Sequence, residues 1–367
     1  MDYTNDSRTI LSLDAGGTNF DFFAVRGGDL VTDKLRFPAS VDTLDDMLKM
    51  IIRGFENVSQ QSGERPAAIS FCFPGPADYK SGIIGDLENL PLFRGGVPLK
   101  AMLENYFGIP VFINNDGDLF AYGEAIAGLL PEVNNALKES GSDRKYNNLL
   151  GVTFGTGFGG GFVGSGKLFT GDNSAGMEIN RMRNKLYLQT SAEDSVTVRA
   201  IKRVYARETG LKMKEVPEPE EIFNIGMGTL KGEGDAARKA FGEMAEVAGD
   251  ALANAVTLTD SLVVVGGGLS GAWPLFLQQM VDEMNRAYHE ISGDELPRME
   301  IYAYNLKNEA CVRDFYEDTS SRIRVPFSDE LVKYDPIKKI GVGVSKLGTS
   351  RAVAIGAYAY AINELSD

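Results

Sequence analysis

The chain has 367 residues with 37 basic and 51 acidic side chains, a formal net charge of −14, and is 43% hydrophobic and 24% charged. This is the composition of a globular protein that meets water, and its acidic balance argues against a broad nucleic-acid face, which needs clustered Lys and Arg. Two cysteines (Cys72, Cys311) and one histidine (His289) exclude a disulfide framework and a Cys-rich zinc site, and nearly exclude a Ser-His-Asp triad.

No apolar run approaches the roughly 18 residues of a membrane span. The opening Met1-Asp2-Tyr3-Thr4-Asn5-Asp6 has neither the basic nor the apolar part of a signal peptide, so a cytoplasmic location is expected. A single core at this length would be unusually large, and two lobes are the default.

Ile10–Leu13 predicts a strand ending in Asp14-Ala15-Gly16-Gly17-Thr18-Asn19, and Phe20–Val25 predicts a second before the Gly27-Gly28 turn. Helical spacing runs over about 41–59. A strand over 67–73 meets Pro74-Gly75-Pro76, and another, 111–113, ends at Asn114-Asn115-Asp116 ahead of a helix over about 118–128. The second half opens alike. The apolar run 149–154 breaks at Gly155-Thr156-Gly157, Gly159-Gly160-Gly161 follows, and Gly164-Ser165-Gly166 turns the chain. Helices are predicted over 197–206 and 235–255, a buried strand over 261–265 before Gly266-Gly267-Gly268, a helix over 273–288, a strand over 340–344 and a closing helix over 351–365. The stretch 297–336 reads as a charged, irregular surface elaboration, and 131–148 has no assigned element.

Three glycine turns therefore follow apolar strands. Glycine permits positive φ and close approach, so its N–H groups can face phosphate oxygens without a basic field; plain strand connection is the alternative. Gly155-x-Gly157-x-x-Gly160 matches a dinucleotide fingerprint, but a strand rather than a helix is expected next. Gly161 to Lys167 nearly matches a phosphate loop, but Leu168 stands where a hydroxyl is needed.

Asp116, between a strand and a helix, could take a proton from a hydroxyl attacking phosphorus, or could simply cap the helix. Asp14 could hold Mg²⁺ through water beside the first turn. Glu178 and Glu193 are the acceptor type that sugar hydroxyls need, although their spacing does not show that they converge.

Together these segments resemble the ROK family of sugar kinases and sugar-responsive repressors, within the actin and hexokinase fold superfamily. Leu13-Asp14-Ala15-Gly16-Gly17-Thr18-Asn19 is similar to its first phosphate loop. Pro74-Gly75-Pro76 and Glu88-Asn89-Leu90-Pro91 are similar to its sugar-facing loops, and Asn115-Asp116 to its catalytic segment. Phe154 to Gly161 resembles the second phosphate loop, Val265 to Gly268 the adenosine-side loop, and Gly356-Ala357 falls in its closing helix. The departure lies at Glu178-Ile179-Asn180-Arg181. Arg181 stands where the family has histidine, and no cysteine lies between Cys72 and Cys311, so no zinc is expected.

The resemblance implies an α/β, two-lobed actin-like ATPase (ribonuclease H-like) fold with an interdomain cleft. Its N-terminal lobe would cover 1–127, with the closing helix (about 350–367) packing back on it; its C-terminal lobe would cover 128–349, with an insertion at about 297–336. It implies ATP-dependent phosphorylation of a hexose or amino-hexose hydroxyl, with Asp116 as general base. The sugar would meet Gly75, Asn89, Asn115, Glu178 and Glu193. ATP would meet Gly16, Gly17, Thr18, Asn19, Gly155, Thr156, Gly157, Gly160, Gly266, Gly267 and Gly268, with Mg²⁺ near Asp14. Related enzymes are often dimers, so a homodimer is expected, without nucleic-acid or membrane partners. The rival expectation is a non-catalytic sugar sensor of the same family; the nine residues before Ile10 leave no room for a DNA-binding domain.

Overall fold

The computed structural model describes residues 3–16, 19–75, 77–85 and 91–366. The chain forms two compact units. The first comprises residues 1–128, 161–177 and 347–367, and the second 129–160 and 178–346.

The first unit is built on a sheet whose path runs Asp29–Leu30, Asn19–Arg26, Ile10–Ala15, Ala68–Cys72, Val111–Asn114. The first three strands are antiparallel neighbours, and the last three are parallel. Phe20, Phe22, Phe71 and Phe73 point to one face. They are covered by the helix Leu44–Ser62 through Met47, Ile51, Phe55 and Val58, all fully buried. The sequence delimits that helix at both ends. Thr43 Oγ accepts from the Asp46 N–H, and Gly63 closes the helix at φ 67°, where a side chain would be strained.

The other face carries the helices Asp116–Ala127 and Thr349–Glu364, which pack on each other without a spacing layer of side chains. Gly123 lies against the Ala352 carbonyl and Gly356 against the Leu119 carbonyl, so a Cβ at either position would collide with backbone. Alanine normally stabilises a helix interior relative to glycine by about 1 kcal/mol. Here Gly356→Ala should instead destabilise by about 2–3 kcal/mol, because overpacked backbone cannot move aside as a side-chain tip can. Urea titration of the variant checks the sign.

In the second unit four parallel strands lie in the order Asn148–Phe154, Leu262–Gly266, Lys339–Val344, Tyr302–Asn305. The near-continuous burial of Leu262–Gly266 and Lys339–Val344 reflects cover on both faces. The strand Phe158–Gly164 pairs with the first of these. The alanine-rich helix Gly234–Thr259 packs closely on Trp273–Met284. Among the described residues no helix is long and apolar enough to cross a membrane.

Several elements differ from the sequence expectations. Tyr302–Asn305 is an edge strand of the main sheet, and Glu309–Tyr316 is a helix, so 297–336 is not wholly a surface elaboration. Within it, the hairpin of Ser321–Arg324 and Leu331–Tyr334 is exposed throughout. The predicted helix over 273–288 ends at Met284, and Ala287–His289 pairs instead with Glu295–Pro297. Leu129–Glu139 is a helix despite Pro131, which falls in its first turn, where the missing N–H costs nothing.

Candidate active site

In the first unit, the carboxyl ends of the three parallel strands place Asp14, Cys72 and Asn114 side by side in register. Residues leaving such an edge are exposed to a ligand while their backbone remains fixed by the sheet. Asn115 and Asp116 follow directly. Asn115, not Asp116, caps the helix: its Oδ1 accepts from the Gly117 N–H at 2.8 Å, and Asp116 is the first helical residue. Asp116 Oδ1 shares that N–H at 2.9 Å. Gly161 presses on this turn, with an added Cβ only 2.5 Å from the Gly117 carbonyl oxygen.

The electrostatics of this edge are strained toward the neutral acids. Asp116 is exposed by area, yet desolvation by the surrounding protein raises its carboxyl above the ordinary range, against the lowering effect of backbone N–H groups. Burial likewise raises Asp14. The Lys34 ammonium opposes that shift, and the charges of Asp21 and Asp116 add to it. Asp21 is itself held low by Arg36, which donates to both its oxygens at 2.7 and 2.8 Å. The Cys72 thiol is buried and raised well above its usual value, so it is no nucleophile.

Gly16 begins the first glycine turn, its N–H donating to the Asn19 carbonyl at 3.0 Å. Gly17, Thr18 and Asn89 lie outside the described residues. Gly75 lies exposed in the bend after Phe73, over the buried phenol of Tyr79.

In the second unit the other two glycine turns converge. The register Thr153–Gly266 brings both to one sheet edge, and the Leu269 N–H reaches back to the Phe154 carbonyl at 2.9 Å. Gly267, at φ 86°, lies so close to the Phe154 backbone that no side chain fits. Gly155 donates to the Gly157 carbonyl (3.0 Å) and accepts from the Val198 N–H (2.9 Å), which ties the turn to the start of the helix Val198–Thr209. Gly155, Thr156 and Gly157 form the turn proper. Gly160 lies within the following strand, so the dinucleotide-like spacing opens no helix.

Glu193 Oε2 accepts from the Phe158 N–H at 3.1 Å, so this carboxylate rests on the end of the glycine turn. Glu178 precedes the 3₁₀ turn Ile179–Arg181 and Glu193 sits in the 3₁₀ turn Ala192–Asp194; the two turns pack together, with the Ala192 N–H on the Met182 carbonyl at 2.7 Å. The fully buried Asn184 organises the loop between them. Its Oδ1 accepts from the Leu186 and Tyr187 N–H groups, and its Nδ2 donates to Ser191 and Ser195. Neither Asn184 nor Tyr79 was legible as a site residue, because each acts through partners that only the folded loop supplies. A lone Asn among polar residues carries no sequence signal.

Among the described residues no three His, Cys, Asp or Glu side chains group as a metal cluster. The oxygen donors of Asp14 and its raised carboxyl suit a hard cation that keeps most of its own water, as Mg²⁺ does.

The ROK family profile matches residues 10–313. Glucokinase from Streptomyces coelicolor is 26% identical over 321 residues, 82% of this chain and 94% of its own length. N-acetyl-D-glucosamine kinase from Vibrio cholerae is 27% identical over 309 residues, 78% and 92% of the two chains. Among solved structures, a glucokinase from Parabacteroides distasonis superposes with TM-score 0.90 at 50% identity, covering 99% of each chain. A Streptomyces griseus ROK glucokinase, solved with glucose and AMPPNP, gives TM-score 0.60 at 20% identity over 95% and 98% of the chains, a likeness of fold. The α/β class and the actin-like ATPase fold expected from the sequence are those of these neighbours. With the profile matching residues 10–313, most of the chain, this chain belongs to the ROK family.

Proposed function

We propose that this chain is an ATP-dependent kinase that phosphorylates a hydroxyl of a hexose or amino-hexose, with Asp116 as general base. The observation that carries this reading is the placement of Asp116. It opens a helix at the carboxyl edge of the parallel strands, where desolvation by the surrounding protein raises its carboxyl and makes the carboxylate a stronger base than an aspartate at its ordinary value. The 50% identity to the Parabacteroides distasonis glucokinase supports the substrate class.

In this reading Gly75, Asn89, Asn115, Glu178 and Glu193 orient the sugar. Glu193 keeps Oε2 on the Phe158 N–H and offers Oε1 to a sugar hydroxyl. Gly16, Gly17, Thr18, Asn19, Gly155, Thr156, Gly157, Gly160 and Gly266 to Gly268 take the nucleotide through backbone N–H groups and close approach. Asp116 receives the hydroxyl proton as the sugar oxygen bonds to the γ-phosphorus and the bond to the β-phosphate oxygen breaks, leaving ADP. Asp14 would hold Mg²⁺ through water, and that ion would supply charge neutralisation on the phosphate oxygens. The helix N-terminus favours the ionised base.

A coupled ADP-release assay over glucose, fructose, mannose, N-acetylglucosamine and N-acetylmannosamine tests the reading. Sugar-dependent turnover with at least one of them is expected. Sugar binding with no ADP release from any of the five would refute the kinase and leave a sensor.

A further inference from the structure

Between the bend that carries Gly75 and the turn that carries Asn115 lies one buried hydroxyl with no role in the scheme above. Tyr79 is 8% exposed. Its Oη donates to the Phe73 carbonyl at 2.9 Å and accepts from Asn115 Nδ2 at 3.4 Å. The Phe73 N–H donates to the Asn114 carbonyl at 3.0 Å. Asn115 follows Asn114, so these bonds close a circuit across the ends of two parallel strands. The orientation of the Asn115 amide is fixed at both ends, with Oδ1 on the Gly117 N–H and Nδ2 on the phenol. The same hydroxyl fills the space that a side chain at Gly75 would need, since a Cβ there would be 2.9 Å from it.

We infer that Tyr79 is a positioning residue: its hydroxyl locks the Gly75 bend to the Asn115 cap and so sets where the first turn of the Asp116 helix presents its side chains. The inference deepens the kinase reading and rests on it for its kinetic consequence. Three candidate residues on the acceptor side, Gly75, Asn115 and Asp116, depend on this one phenol, through contact or through the cap. Burial raises the phenol far above its ordinary range, so it remains a neutral donor throughout the working pH range. Removing the hydroxyl leaves the Phe73 carbonyl and Asn115 Nδ2 without their shared partner, and the amide is then held at one end, by Oδ1 on the Gly117 N–H.

Tyr79→Phe in the full-length protein tests this, since loss of one hydroxyl is small enough to leave the fold intact. Two readouts are needed. Hydrogen exchange should speed up about tenfold over 115–118 and stay unchanged over 44–62, the fold-change that loss of one net hydrogen bond gives. With the best hexose of the assay panel, the sugar KM should rise about tenfold while the ATP KM is unchanged. A merely structural role would lower the active fraction, and with it kcat, without moving the sugar KM. Unchanged exchange over 115–118, or an unchanged sugar KM in an active enzyme, overturns the inference. If the unmodified chain turns over no hexose, the kinase reading fails, and the exchange measurement still decides whether Tyr79 sets this turn.

Discussion

Replacing Asp116 by Asn should cut phosphoryl transfer by about 10²–10⁴-fold while sugar binding persists, and the unliganded variant should melt at a higher temperature near pH 7. Both effects have one origin. The amide keeps the acceptor oxygen that takes the Gly117 N–H at 2.9 Å, so the helix start is preserved. It removes a carboxylate whose ionisation the surrounding protein opposes by desolvation. An aspartate raised above its ordinary value of 3.8 destabilises the fold once ionised; the cost is absent below that value and complete above the raised one. Stability gained by the variant should therefore be full at neutral pH and shrink as the pH falls through the raised pKa. Asp14 should also ionise more readily, since the Asp116 charge adds to its upward shift. Melting curves at pH 7 and pH 4 measure the gain in stability, and a coupled assay measures the loss of transfer. Near-normal turnover would remove Asp116 from the mechanism, and an unchanged melting temperature would mean that its carboxylate is well solvated.

Glu283→Ala should destabilise the second unit by about 3–5 kcal/mol. The Glu283 side chain is 3% exposed and carries three cations: Lys185 Nζ at 2.6 Å and Arg298 at 3.1 Å on Oε1, and Arg286 at 3.1 Å on Oε2. Arg298 is almost as buried, at 6%, and reaches Asp250 at 2.6 Å. Lys185 retains Glu246 at 3.0 Å and Arg298 retains Asp250 after the change, but three cations are then left to two carboxylates in a site largely closed to water. Deleting one member of a buried ion network costs far more than the whole network contributes, so Glu283→Met combined with Arg298→Met should be less damaging than the single alanine. Urea titration of the two variants checks the order. A loss below about 1 kcal/mol for Glu283→Ala would show that water reaches the network. Lys185 belongs to the loop between Glu178 and Glu193, so this network also anchors the candidate sugar-side loop to the helix Trp273–Met284.

The strands and glycine turns were legible because apolar runs that break at Gly-rich bends have few alternatives. The Asp14, Asn115 and Asp116 cluster was legible for the same reason: each stands where a strand stops. What escaped were groups whose meaning lies in distant partners. Lys185 meets a carboxylate 98 positions away, and nothing local marks it. The strand Tyr302–Asn305 is short and half exposed at the sheet edge, so its periodicity carries little signal. Leu129–Glu139 was hidden by Pro131, which reads as a breaker until the helix is seen to begin just before it. At the helix start, Asp116 suggested a cap from its residue type alone, and the neighbouring Asn115, with the same chemistry, took that place.

The clasp between Gly123 and Gly356 has a consequence for the order in which the protein matures. Gly161 meets the first turn of the Asp116 helix, but the neighbour that fits along its length is residues 349–364, more than two hundred positions later in the chain. Domains form as their segments leave the ribosome, N-terminal parts first. The first sheet and its phenylalanine layer can thus assemble early, while the helix bearing the proposed base stays unseated until translation is nearly complete. A half-made chain would be folded yet inert, and competence would arrive together with the last helix.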